Sequence, residues 1–81
     1  MQITEKESFR QSVLTVVPSS NPEDVSILIH KIKSLKTQAF YSVFVFMPSM
    51  MFFKFAEPMR DQGIKFKQVE LKNNLAKLEV A

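Results

Sequence analysis

The chain has no cysteine and no tryptophan among its 81 residues, and it has a single glycine, Gly63. The absence of cysteine excludes disulfides, thiolate metal sites and a cysteine nucleophile. One glycine cannot form the Gly-rich loop that cradles nucleotide phosphates or the elbow that presents a nucleophilic serine. Charge is limited too: eleven Lys and Arg against eight Asp and Glu give a net charge of +3. This small excess permits contact with nucleic acid without requiring it.

Long apolar segments are also missing. The longest, from Phe40 to Phe53, is interrupted by Pro48 and is shorter than the ~20 residues that span a bilayer. Residues 1–10 are polar and charged, unlike a signal peptide. With 46% hydrophobic residues the composition is that of a folded domain. We therefore expect one soluble cytoplasmic domain over residues 1–81, with a thin core and no membrane contact.

The first half of the chain predicts a strand–helix–strand unit. Residues 12–17 and 41–47 are apolar at nearly every position, which is typical of strands buried on both faces. Between them, residues 21–36 carry apolar side chains at helical spacing, with Asn21 as the expected N-cap. Such a unit places its two strands in parallel. In front of it, the Thr4-x-x-Glu7 spacing of a capping box predicts a short helix to about Gln11; the alternative is an extension of the first strand.

Residues 49–61 admit two interpretations. The spacing of Met51, Phe55 and Met59 favours a helix that is kinked by Pro58 or ends near Ala56. The alternative is a hairpin in which residues 51–55 pair with 41–47.

The last third of the chain predicts two antiparallel strands. Gly63 suits the position after a helix C-terminus. Residues 64–71 and 75–80 are the strands, joined by an Asn73-Asn74 turn. The apolar phase slips between Phe66 and Val69, which indicates a bulge near Lys67-Gln68 or burial of both faces farther along. The predicted fold is an α/β, two-layer α+β sandwich of β-α-β-α-β-β order on a mixed four-stranded sheet, with a short extra N-terminal helix.

This element order resembles that of Alba chromatin proteins, the C-terminal domain of bacterial translation initiation factor three, and the TusA-type sulfur carriers. The likeness covers most of the chain but includes no shared motif. The sulfur carriers depend on a Cys-Pro-x-Pro motif where their first helix opens, and this chain has Asn21-Pro22-Glu23-Asp24 there, which excludes sulfur transfer. The other two groups bind nucleic acid, so the resemblance implies a nucleic-acid partner, although fold does not determine function.

Catalysis has little support in the sequence. His30 is the only histidine, and no cysteine or second histidine could join it at a metal or in acid–base chemistry. We expect no catalytic residue, no metal and no cofactor. A remote hypothesis is a phosphate or nucleotide ligand at the two strand–Pro–Ser junctions, Pro18-Ser19 and Pro48-Ser49, which parallel strands would place at one sheet edge. The missing glycines and the acidic start of the first helix argue against it.

Two binding functions remain. The leading hypothesis is a non-enzymatic interaction or regulatory protein, a homodimer or the partner of another protein, because Met and Phe are in excess over what one helical stripe can bury. Its interface residues would be Met47, Met50, Met51 and Phe53. The alternative is a basic RNA- or DNA-binding module. Its contact residues would be Lys31, Lys33, Lys36, Lys65, Lys67 and Lys77.

Overall fold

The computed structural model describes residues 1–17, 19, 21–37 and 42–81. Within these ranges the chain forms five strands, two α-helices and a short 3-10 helix. In chain order they are β1 (Gln2–Ser8), β2 (Gln11–Val17), α1 (Asp24–Leu35), β3 (Ser42–Pro48), the 3-10 helix (Ser49–Met51), α2 (Phe52–Asp61), β4 (Phe66–Lys72) and β5 (Leu75–Val80).

The five strands form one mixed sheet in the order β1-β2-β3-β5-β4. Strands β2 and β3 are parallel and are joined by α1, which confirms the predicted strand–helix–strand unit. The other neighbouring pairs are antiparallel. The two-layer α+β class is thus confirmed, with five strands in place of the predicted four.

Both helices pack on one face of the sheet. The strand residues that point toward them alternate along β2, β3 and β5 and are buried; they are Leu14, Val16, Val43, Val45, Met47, Ala76, Leu78 and Val80. Leu28 and Ile32 of α1 and Phe55 and Met59 of α2 complete this core. The residues that alternate with the buried strand residues are half-buried or exposed and form what we call the open face. The prediction that the central strands are buried on both faces is wrong, because the described helices cover only one side.

The N-terminal residues form a strand and not the predicted helix. Strand β1 pairs with β2 in an antiparallel hairpin whose turn holds Arg10 at a φ of 56°. Strand β2 offers an edge whose backbone groups need partners, and residues 2–8 supply them. Ile3 packs against the core, so β1 also adds apolar contact. Tertiary pairing therefore overrides the local helix signal.

The first residue of helix α1 is Asp24, and its N-cap position is Glu23 and not the predicted Asn21. The Asn21 side-chain oxygen accepts a hydrogen bond from the Glu23 N–H at 2.9 Å, which forms a turn ahead of the helix and not a cap on it. The inward stripe of the helix is as predicted.

The helical interpretation of residues 49–61 is confirmed, and the hairpin is wrong. The helix neither ends near Ala56 nor stops at Pro58, since α2 continues to Asp61. Pro58 has no N–H to donate to the carbonyl of Lys54 one turn back. Lys54 is exposed, so water can satisfy that carbonyl.

The end of α2 is a Schellman motif. Ile64 N–H donates to the Met59 carbonyl and Gly63 N–H to the Arg60 carbonyl, both at 3.0 Å. Gly63 has the positive φ of 80° that this motif requires. The predicted C-terminal position of the glycine is confirmed.

We expect Gly63→Ala to lower the free energy of unfolding by about 1 kcal/mol, because an L-residue is strained at positive φ. A Cβ at this site would meet no atom within 4 Å, so backbone strain is the only cost. Urea unfolding of this variant beside Glu57→Ala, a change at an exposed position of α2, measures it. A Gly63→Ala protein as stable as the Glu57→Ala control would contradict the assignment.

The C-terminal hairpin is confirmed, with β4 beginning at Phe66 and not at the predicted Ile64. Asn73 and Asn74 have φ values of 53° and 62° and make the two-residue turn between β4 and β5. The register shifts between Gln68 and Glu70, which places the expected bulge at Val69.

Candidate interaction surfaces

The four residues predicted for a Met/Phe interface are divided between surface and core. Met50 is 88% exposed and Phe53 is 82% exposed. Met51 is half-buried against the core. Met47 is 0% exposed, because the alternation of β3 points it toward the helices together with Val45. Met47 is therefore corrected to a core residue, and the surface contains Met50 and Phe53 with Met51 at its base.

Met50 and Phe53 are neighbours on one side of the helical segment 49–61. Residues three apart on a helix lie about 5–6 Å from each other at their Cβ atoms. The Phe53 ring meets the Phe52 ring edge to face with centroids 5.6 Å apart, and Phe52 meets Phe66 of β4 in the same way at 6.1 Å. We call the two exposed side chains the Met50–Phe53 patch. The Phe53 ring packs against Phe52, which itself packs against Phe66, and these contacts limit the conformational freedom of Phe53.

The six lysines predicted to bind nucleic acid do not lie on one surface. Lys31 is held by Glu5, with its Nζ 2.8 Å from Oε1, and this ion pair ties α1 to β1. Lys67 and Lys77 lie on the open face, because their partners in register are Glu79 and Phe46.

The other three lysines line a cavity of about 300 Å³ on the helical side. Lys33, Lys36 and Lys65 surround it at the C-terminal end of α1, and Ile64 and Val80 contribute an apolar floor. Lys33 also donates a hydrogen bond to Gln62. The predicted lysine set therefore divides between the two sides of the sheet.

The phosphate hypothesis finds few free donors at the strand–Pro–Ser junctions. Ser19 donates both its backbone N–H, at 2.6 Å, and its hydroxyl, at 3.0 Å, to the Asp24 carboxylate. The Ser49 N–H donates to the Asn74 carbonyl at 2.9 Å. These donors of Ser19 and Ser49 are therefore already engaged by groups of the chain itself.

The described residues contain no group of three or more His, Cys, Asp or Glu side chains placed to hold a metal ion. His30 is exposed on α1. Within the same part of the chain, neither helix has the length and apolar character needed to cross a membrane.

Asp24 is a buried carboxylate with a structural environment. Its Oδ2 accepts the two bonds from Ser19, and its Oδ1 lies 3.1 Å from the Met1 amino nitrogen without forming a well-aligned hydrogen bond. Burial is the largest influence and raises the pKa of Asp24, but the Ser19 bonds and the Met1 ammonium together outweigh it and hold the pKa below its ordinary value.

Glu5 is the second carboxylate with a lowered pKa. The hydrogen bond from Lys31 lowers the pKa of Glu5 most, followed by the bond that the Ser12 hydroxyl donates at 2.8 Å. Both carboxylates join β-strand or loop residues to α1, so their pKa shifts have causes in the architecture of the domain.

Acid is expected to destabilise the domain through these two carboxylates. A carboxylate whose pKa is lower folded than unfolded adds stability above its unfolded pKa and loses it as the pH falls through the folded pKa. Unfolding free energy should therefore decline below about pH 4, the ordinary range for Asp and Glu.

Urea titrations between neutral pH and about pH 3 measure this decline. The double variant Glu5→Gln, Asp24→Asn should be less stable at neutral pH and should show a shallower decline. The matched control Glu57→Gln removes an exposed carboxylate of α2 that is not among the groups bonded to Glu5 or Asp24. It should keep the full slope. Equal slopes in all three proteins would contradict the assignment.

Comparison with known proteins gives no match: no family model fits the chain, and no curated protein or solved structure is significantly similar to it.

Proposed function

We propose that this chain is a non-enzymatic interaction protein that self-associates through the Met50–Phe53 patch. The observation that supports the proposal is the exposure of two large apolar side chains, Met50 at 88% on the 3-10 helix and Phe53 at 82% on α2, whose inward stripe is complete without them. Apolar side chains grouped at a surface mark contact sites, because water is excluded from them when a partner covers them.

The chemistry of the patch suits a second copy of the chain. In a two-fold symmetric dimer the same patch of both copies forms the interface, and the two patches run in opposite directions. A two-fold axis through the patch therefore places Met50 of one copy against Phe53 of the other. A methionine sulfur beside an aromatic ring is a favourable contact, worth about 0.3–1.5 kcal/mol. Exposed Lys54 and Glu57 follow on the same helix and supply charges of both signs for a polar rim.

The size of the patch predicts a weak dimer. A stable interface covers about 800 Å² on each partner, more than two side chains provide. We therefore expect a dimer that dissociates on dilution.

Disulfide trapping tests the geometry directly, because the chain has no cysteine of its own. Met50→Cys and Phe53→Cys each introduce one thiol into the patch. Mixed and oxidised together, the two variants should form covalent dimers readily, since the axis brings residue 50 of one copy to residue 53 of the other.

Phe9→Cys is the matched control. Phe9 is 86% exposed, as accessible as the patch residues, but it lies on the β1–β2 turn. Its disulfide dimers should form only at the rate of random collisions. Equal rates for the patch and the turn would rule out the proposed interface.

A further inference from the structure

The open face of the sheet carries aromatic side chains at its centre. Two rows of residues that are paired in register cross the sheet, and each is given in the spatial order of the strands, β1-β2-β3-β5-β4. The first row is Lys6, Val13, Phe44, Glu79 and Lys67, and the second is Thr4, Thr15, Phe46, Lys77 and Glu70. A solvated face of a sheet normally carries polar residues, so two phenylalanines at the middle of that face need an explanation.

Lys77 is positioned over both rings. Its Nζ lies 5.0 Å from the centroid of the Phe44 ring and 5.5 Å from that of Phe46. Both rings are half-buried, and no described helix covers them. The Lys77 ammonium and the two aromatic rings therefore lie within a few ångströms of one another. Beside them is a cavity of about 160 Å³ that Phe46 and Lys77 help to line.

The charge of the open face is positive. In addition to Lys77 it presents Lys6, Lys67 and Lys72, against Glu70 and Glu79. Four lysines against two glutamates leave an excess of two positive charges, most of the net charge of +3 of the chain. Glu79 lies 3.9 Å from Lys67 Nζ, a distance at which an exposed ion pair is weak and can yield to a phosphate.

We infer that the open face binds single-stranded nucleic acid, with bases stacked on Phe44 and Phe46 and a phosphate held by Lys77. Aromatic side chains are sequence-tolerant platforms for bases, and a basic surface follows the phosphate backbone. This function is separate from self-association, because the Met50–Phe53 patch lies in the helical layer on the other side of the sheet.

The spacing of the two rings selects a single strand over a duplex. Residues two apart on a strand are about 6.6 Å apart, roughly twice the ~3.4 Å between stacked bases. Neighbouring bases must therefore separate to lie on both rings, which an extended single strand allows. In a duplex the bases are paired and stacked, and a flat sheet face reaches only its phosphates.

Fluorescence anisotropy with a labelled oligo-dT of about twelve nucleotides tests the inference; for comparison, one OB-fold covers about 4–16 nucleotides of a single strand. Phe44→Leu and Phe46→Leu keep the apolar contact with neighbouring strands and remove the aromatic surface. Each should weaken binding about tenfold. Lys77→Gln should weaken binding and reduce the salt dependence by about one phosphate contact. Unlabelled duplex DNA should compete poorly.

Two controls separate this inference from general charge effects and from the proposed dimer. Lys54→Gln removes one lysine from α2 and should leave binding unchanged, while Phe53→Glu should change solution mass without abolishing binding. The inference is overturned if oligo-dT does not bind at low salt, if Lys54→Gln weakens binding as much as Lys77→Gln, or if both leucine variants bind as well as the wild type. It is also overturned if the leucine variants change only the solution mass, because the open face would then be a protein contact.

Discussion

Replacing Phe53 by glutamate is expected to give a folded monomer. Phe53 is exposed, so the charge is solvated in the separate chain and the fold is kept. In the dimer the carboxylate would be buried at the centre of an apolar contact, and such a centre can contribute about 2 kcal/mol or more for each truncated residue. Circular dichroism reports the fold, and light scattering reports the mass.

Phe9→Glu is the control for this prediction, since it makes the same change at an equally exposed site away from the patch. It should keep the mass of the wild type. Two results would contradict the account: unfolding of Phe53→Glu would identify Phe53 as a core residue, and a folded variant of unchanged mass would leave the patch without a role in assembly.

Replacing Phe55 by alanine is expected to cost about 3–5 kcal/mol of unfolding free energy, the usual loss when a buried Phe is truncated. Phe55 is fully buried among core residues of the sheet and of α1. Small domains have about 5–15 kcal/mol of stability in total, so this variant should be close to unfolding.

Phe53→Ala, two positions earlier on the same helix, is the matched comparison and should change stability by no more than about 0.5 kcal/mol. Urea unfolding of the two variants measures the difference at conditions where the chain is monomeric. Similar losses would show that α2 is rotated from the orientation described here.

The parts of the fold that were predictable are those with strong local chemistry. The stripe of α1, the glycine that ends α2 and the Asn73-Asn74 turn each follow from residues that are adjacent in sequence. Strand β1 was not predictable in this way, because its hydrogen bonds depend on the exposed edge of β2 and its Thr4-x-x-Glu7 spacing is typical of a helix start. Pro58 was misjudged for a related reason, since the tolerance of a proline depends on whether the lost carbonyl partner is open to water.

The candidate sites show where single-sequence reasoning stops. Strand β3 is apolar at nearly every position, so its sequence does not reveal which alternate residues face the helices. Because of this ambiguity, Met47 was predicted at the surface although it is buried. Phe44 and Phe46 were predicted to be buried although they lie on the open face. The signal that could have resolved it lies in β5, where Lys77 and Glu79 alternate with buried residues and mark the solvated face. The pairing register of β5 with β3 is needed to show that Phe44 and Phe46 lie on the same face as Lys77 and Glu79, and the sequence alone does not reveal it.

Self-association is the central claim, and sedimentation equilibrium of the unmodified protein over a wide range of concentrations tests it most directly. The account predicts a mass that rises from that of one chain at low concentration to twice that value at high concentration, with Phe53→Glu remaining at one chain throughout. A wild-type protein with the mass of a single chain at every concentration would contradict it.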